Sequence, residues 1–417
     1  MRAGSKIVIG IAGLILAYSH VQAADLNDWP QWRGVHRDDL SKETGLQKEW
    51  PAGGPELKWK ATELGVGFSG ISLVNGTIFT MGDVDGASQL LAFSEATGKK
   101  LWSTKIGAAG GGDGYPGPRS TPTVAGGYVY AFSQFGDLLC ADAATGNEVW
   151  RKNCVTDFGG AMPRWGYAES PLVDDGKLIC TPGGQQGSIM ALDAKTGALI
   201  WRTKDYTDAP HHSSMILETV FGQRQVIQLT SKSVVGVAVA DGKVLWKAVR
   251  EGKTAVVPTP VYADNQVFVT SGYGIGCNAF KISKDESGFS AAQIYENKNM
   301  VNHHGGVILL DGYVYGFSDS SKSWVCLDFK TGEIAWSNPG VGKGAIAYAD
   351  GHFYIRSESG KGAIALIEAN PKKYVEKSRF DQAERSDKNS WPHPVIVNGK
   401  LYIRDQGVLL CYDVKGK

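Results

Sequence analysis

The sequence predicts an all-β fold, an eight-bladed β-propeller of four-stranded antiparallel blades, with the ring closed by an N-terminal strand pairing with the C-terminal blade. Three observations predict it. First, a segment ending in Trp recurs: LLAFSEATGKKLW to Trp102, LLCADAATGNEVW to Trp150, SIMALDAKTGALIW to Trp201, VVGVAVADGKVLW to Trp246 and WVCLDFKTGEIAW to Trp336. Second, the end of the chain, VLLCYDVKGK, stops at Lys417 before a Trp of its own, while an orphan ending, ELKWK around Trp59, precedes the first full repeat. Two fragments that complete one unit describe a ring closed by its own termini. Third, the chain holds 54 Gly and 12 Trp. Gly supplies positive φ in tight hairpins, and Trp packs between sheets.

The unit can be read strand by strand. An alternating first strand carries a Pro near its start, as in Ser170-Pro171-Leu172-Val173. A Gly turn leads to a second strand such as Lys177-Leu178-Ile179-Cys180. An apolar third strand runs to Asp193, and the turn Asp-Ala-Lys-Thr-Gly leads to a fourth strand ending at Trp201. Period-2 alternation between Gly/Asn/Asp turns makes one blade. In the turn, Asp and Thr side chains can bond nearby backbone N–H groups, and Gly takes the left-handed position. First strands are expected near Phe68, Arg119, Tyr167, His211, Val256, His303, Gly344 and Trp391. Blade five is expected to end near Tyr295 after an insertion at residues 284–290. Blade seven is expected to end near Tyr374, with a long polar connection over 377–389. Blade eight takes its fourth strand from around Leu57 to Lys60. Each blade is expected to pack on its two neighbours rather than on one common core.

Three segments follow: a signal peptide over 1–23, a strap outside the repeat over 24–56, and the propeller over 57–417. Arg2 and Lys6 precede an apolar run from Ile7 to Ala17 that is too short to span a bilayer, and Val21-Gln22-Ala23 offers small residues for cleavage. Cleavage there moves the formal charge from +1 to −1. A near-neutral chain has no electrostatic footprint for nucleic acid or anionic lipid. The expected location is periplasmic or secreted, with no membrane span left after cleavage. The strap holds Trp29, Trp32 and Trp50 and is expected to lie across the ring. Of six Cys, Cys140, Cys326 and Cys411 share one repeat slot with Ala92 and Ala191, which reads as small buried packing. Pairing among Cys154, Cys180 and Cys277 cannot be deduced from spacing.

The run Ala-Leu-Asp-Ala-Lys-Thr-Gly-Ala-Leu-Ile-Trp, residues 191–201, resembles the tryptophan-docking repeat of pyrroloquinoline-quinone (PQQ) type propellers. That family includes quinoprotein alcohol dehydrogenases and the non-enzymatic propeller lipoprotein of the outer-membrane assembly machinery. The resemblance covers about residues 57–417. The leader Asp28-Trp29-Pro30-Gln31-Trp32-Arg33-Gly34 is similar to the start of secreted PQQ-like repeat proteins. The resemblance implies PQQ with calcium as the cofactor of an enzymatic member, and leaves open whether this chain binds one. The dehydrogenases place a disulfide of adjacent Cys over the cofactor, and no two Cys are adjacent here. The lipid-bearing Cys of the assembly lipoprotein is also missing.

Aligning the repeats isolates one slot, three residues before the first-strand Pro or its equivalent. Around the ring it reads Phe68, Arg119, Ala168, His211, Val257, His304, Lys343 and Trp391. Innermost strands line a propeller's channel, so one slot across blades forms one level of side chains. Neighbouring positions add Tyr167, Glu169, His212, His303 and His393. Candidate binding residues for a ligand or cofactor are Arg119, Glu169, His211, His304, Lys343 and Trp391. Arg119 and Lys343 suit an anionic group, and the imidazoles suit proton transfer or a metal. Adjacent His residues alternate sides on a strand, so at most one of each pair should face the channel. Trp165 and Trp391, at the channel end, could stack on a sugar or quinone. The Gly-rich run at residues 107–118 precedes no helix, so it reads as a loop over the mouth rather than a phosphate cradle.

Three functions follow: a binding or scaffold propeller for a small molecule or an extracytoplasmic protein partner, a PQQ-dependent alcohol or sugar oxidoreductase, and a metal-assisted polysaccharide lyase or hydrolase. The missing Cys pair weighs against the second. The single acidic partner at the His level, Glu169, weighs against the third.

Overall fold

The computed structural model describes Met1 and residues 28–416, so the expected signal peptide lies outside the described residues apart from Met1. Eight sheets make the ring. Seven are consecutive in sequence. In blade 2, for example, Thr123–Ala125, Tyr128–Phe132, Asp137–Asp142 and Glu148–Asn153 run antiparallel from the inside outward. The eighth is composite. Val395–Val397, Lys400–Asp405 and Val408–Asp413 take Glu56–Ala61 as their outermost strand, with Trp59 opposite Cys411. No helix occurs among the described residues, and so none is long and apolar enough to cross a membrane.

The core is divided. Eight apolar clusters are present, and each joins two neighbouring blades. Phe79, Met81 and Leu90 of blade 1 meet Val129, Ala131 and Leu139 of blade 2. The last cluster joins Leu73, Ile78 and Leu91 of blade 1 to Tyr402, Leu409 and Cys411 of blade 8. No blade buries its faces alone, so the ring has no natural end. The six Cys are buried and unbridged within these layers.

The strands depart from expectation in two places. Most first strands begin three to five residues later than the repeat slot suggests, at Ser72, Thr123, Leu172, Ile216, Val261, Val307 and Val395. The slot residues therefore lie on loops entering the blades. In blade 7 the fourth strand is Glu376–Phe380, so the chain continues past Tyr374 and the polar connection starts later. The insertion in blade 5 is a lengthened hairpin, Gly276–Asp285 with Gly288–Asn297, and Tyr295 sits in its outer strand.

The segment before the first blade fills the channel. Trp29 bridges Leu73 of blade 1, and Pro30 accepts from the Val124 amide of blade 2. Arg37 donates to the carbonyls of Ser170 and Pro171, entering blade 3, and of Met215, entering blade 4. Trp32 Nε1 donates to Thr259 Oγ1 before blade 5. Arg33 donates to the Val307 carbonyl of blade 6 at 2.5 Å. Leu40–Ser41 adds a parallel strand to Gly344–Ala349 of blade 7. Asp39 meets His393, before blade 8, at 2.8 Å. Residues 29–41 thus touch all eight blades. Arg33, Arg37 and Asp39 hold φ near +60°, which costs non-glycine residues about 1–3 kcal/mol each. Their buried polar bonds hold that conformation in place.

Candidate functional site

With the channel filled, the loops entering the blades enclose a blind pocket of about 380 Å³ with Trp32 of the strap among its lining. Four of the six sequence-derived candidates line it: Arg119, His304, Lys343 and Trp391. Arg119 donates to the carbonyls of Tyr115 and Gly117 at 2.5 and 3.3 Å, and no carboxylate forms an ion pair with it among the described residues. Burial pushes its pKa down to about 10, against the pull of Asp83, because desolvation disfavours an unpaired charge. Lys343 Nζ bonds both His303 Nδ1 at 2.9 Å and Asp319 at 3.0 Å.

Glu169 and His211 are not among the pocket's lining. Both stand on loops that enter the blades, next to residues that do line it. Ala168 and Ser170 line the pocket and Glu169 points the other way, and His212 and Ser214 line it while His211 does not. The buried Glu169 carboxylate accepts from Thr181 N at 2.7 Å, Thr181 Oγ1 at 3.0 Å and Gln228 Nε2 at 3.0 Å. Burial raises its pKa to about 8, outweighing those bonds and the Arg37 charge. His211 Nδ1 meets His212 Nδ1 at 3.1 Å and the Val256 amide at 3.1 Å. The other pair breaks the alternation: His303 and His304 both line the pocket, with ring centroids 3.7 Å apart.

Trp391 does not offer an open stacking face. Phe68 stacks on it at 4.4 Å and His304 at 4.0 Å, both nearly parallel. These rings form a wall held by three blades. Burial keeps all four imidazoles neutral near pH 7, with His211 and His303 pushed down to about 4, His212 to about 3 and His304 well below its usual value. Several lining residues lie outside the repeat slot: Trp32 on the strap, Tyr115 on the Gly-rich loop, and Tyr273 and Glu358 just after second strands. The Gly-Tyr-Gly turn at 272–274 is the sequence signal that would have marked Tyr273.

The donors do not fit a calcium-bound quinone. Calcium takes six to eight oxygen ligands, and Glu358 is the pocket's single carboxylate. No group of three or more His, Cys, Asp or Glu among the described residues is placed to hold a metal ion. The same finding removes the support for a metal-assisted lyase or hydrolase.

The family model for outer membrane protein assembly factor BamB matches residues 86–338. BamB of Xanthomonas campestris is 33% identical over 106 residues, 25% of either chain. The quinohemoprotein alcohol dehydrogenase of Comamonas testosteroni is 39% identical over 80 residues, 18% of this chain and 11% of that one. The chain thus aligns with a quarter or less of these two curated relatives. In structure, BamB from Moraxella catarrhalis superposes with a TM-score of 0.59 at 14% identity, covering 86% of this chain and 99% of that one. The Comamonas enzyme superposes at 0.65 with 15% identity, covering 94% and 81%. These superpositions bear on the fold alone. With the family model spanning more than half of its length, the chain belongs to the PQQ-type propeller family described as outer membrane protein assembly factor BamB.

Proposed function

We propose that this chain is a periplasmic or secreted binding propeller, a scaffold whose channel-mouth pocket receives an anionic group from a small ligand or from an extracytoplasmic protein partner. One observation carries this. Arg119 is a half-buried guanidinium in an aromatic-walled pocket, and it meets backbone carbonyls but no ion-pair partner among the described residues. A site of convergent polar groups in a concave apolar pocket is the usual form of a ligand site. Kinship with outer-membrane assembly factors supports the scaffold role and suggests a component of an outer-membrane assembly apparatus as the partner. The alternative, a PQQ-dependent oxidoreductase, draws on the Comamonas relative but lacks a donor set for the metal.

Trp32, Trp165 and Trp391 line the pocket, so tryptophan emission should report occupancy. Galacturonate should quench it saturably. Arg119→Ala should weaken binding by roughly ten- to a hundredfold, the scale of a lost charge-assisted bond. An unchanged affinity in that variant would remove the anion site. Dye-linked alcohol oxidation after incubation with PQQ and Ca²⁺ would favour the oxidoreductase instead.

A further inference from the structure

Tyr273 stands on the turn between Gln266–Ser271 and Gly276–Asp285 of blade 5. Its φ is +58°, a conformation that bulky residues rarely adopt. Gly272 before it is pressed against an imidazole. A Cβ there would lie 3.1 Å from His303 Cδ2 and 3.3 Å from Cγ. That backbone directs Tyr273 toward His303, whose contacts place the phenol. Tyr273 Oη is 2.9 Å from His303 Nε2, and the two rings meet edge-on at 4.7 Å.

The direction of that hydrogen bond follows from the far side of the imidazole. Lys343 Nζ, anchored on Asp319, sits 2.9 Å from His303 Nδ1. An ammonium has no acceptor, so Nδ1 must accept and carries no hydrogen. Burial and the Lys343 charge keep the ring neutral, with its pKa lowered to about 4. Its one hydrogen is therefore on Nε2 and is donated to Tyr273 Oη. With its oxygen engaged by that donor, the phenol's own hydrogen is directed elsewhere, and Tyr273 lines the pocket.

We propose that the Asp319–Lys343–His303 chain fixes Tyr273 as a hydrogen-bond donor to the pocket's ligand, and that the ligand is a hydroxylated carboxylic acid, with its carboxylate on Arg119 and an oxygen acceptor on Tyr273. The ligand class rests on the anion-binding role proposed above. The tautomer does not. His303 is a positioning residue, acting through Tyr273.

Two measurements separate the claims. Nitrogen-15 NMR of histidine-labelled protein at pH 7 should show His303 with a hydrogen on Nε2 and none on Nδ1. The opposite tautomer, or an imidazolium, overturns the chain of donors. Calorimetric titration with galacturonate and galactose then tests the ligand. The wild type should bind galacturonate at least about tenfold more tightly than galactose, since only the former meets the guanidinium. Tyr273→Phe and His303→Leu should each weaken galacturonate by about tenfold, the scale of one lost hydrogen bond. His303→Gln, which can accept from Lys343 and donate to Tyr273, should restore affinity. Galacturonate binding that Tyr273→Phe leaves unchanged overturns the role of Tyr273 while leaving the anion site standing. Failure of the wild type to bind galacturonate, with the expected tautomer in place, overturns the ligand class.

Discussion

Four imidazoles held neutral on one rim make a residue-scale prediction about acid. His211, His212, His303 and His304 all have pKa values lowered by burial. In the unfolded chain each takes a proton near pH 6.5. Below that pH the unfolded state binds more protons, so stability falls with pH. The contribution is fully present above pH 6.5 and is lost as pH drops towards 4 and 3. Each group supplies a slope of up to about 1.4 kcal/mol per pH unit inside its window. Four carboxyls raised by burial act with the opposite sign: Glu169 and Glu218, raised to about 8 and 7, and Asp38 and Glu358. The imidazole contribution is therefore read by difference: between pH 6.5 and 4 the His211→Gln/His212→Gln double variant should lose less melting temperature than the wild type. A variant whose melting temperature changes with pH just as the wild type's does would contradict the buried neutral imidazoles. At this scale the sequence was informative where repeat phase alone decides direction. Arg119, His304, Lys343 and Trp391 were found together because one repeat slot is one level of the ring. Glu169 and His211 were misplaced because they stand on entry loops, where a one-residue step separates a lining side chain from one that turns away. Trp32 and Tyr273 were missed because neither belongs to that slot.

The element that joins blades is a tryptophan set on the next blade's turn. In blade 3, Asp193 Oδ1 accepts from the Lys195 and Thr196 amides and from Thr196 Oγ1, and Gly197 takes φ +70°. Trp150 of blade 2 lies on that turn, donating to the Ala194 carbonyl at 2.9 Å. Trp201 repeats this on blade 4, with Nε1 2.9 Å from the Val239 carbonyl and a Cβ on Gly242 predicted 2.4 Å from its ring. Trp201→Ala should cost about 3–5 kcal/mol in urea unfolding, as for a large buried aromatic. Gly242→Ala should also destabilise, since it meets both the ring and a φ of +76°. A loss below about 1 kcal/mol for Trp201→Ala would mean the contact is not structural. The exceptions show why reading by Trp alone lost its place. Blade 5 has no such turn, and Trp246 bonds Gln225 of its own blade. Tyr295 takes the corresponding position against blade 6, donating to the Phe329 carbonyl. At blade 7 the strap supplies the aromatic instead, Trp50 packing edge-on against Phe380 at 5.2 Å. With no Trp in its fourth strand, that strand's end could not be located from the repeat.

For the whole molecule, stability depends on closure. Eight interfaces hold eight blades, and the interface between blades 8 and 1 exists because Val408–Asp413 holds Glu56–Ala61 in register. A chain ending at Asp405 loses its last strand. Glu56–Ala61 is then left without its backbone partner, and Lys400–Asp405 becomes an exposed edge, an invitation to pair with other chains. The clusters built on Leu409, Leu410, Cys411 and Tyr412 lose members on both sides of blade 8. The strap compensates only in part. Asp39 on His393 and Glu43 on the Asn398 and Gly399 amides would remain, while the contacts of Gly45, Leu46 and Gln47 with residues 413–416 would be lost. The truncated chain should therefore unfold in a broad, non-cooperative transition and associate in solution, as followed by calorimetry and light scattering. A sharp transition at the wild-type temperature would mean that the strap alone, through its contacts with all eight blades, can hold an open ring.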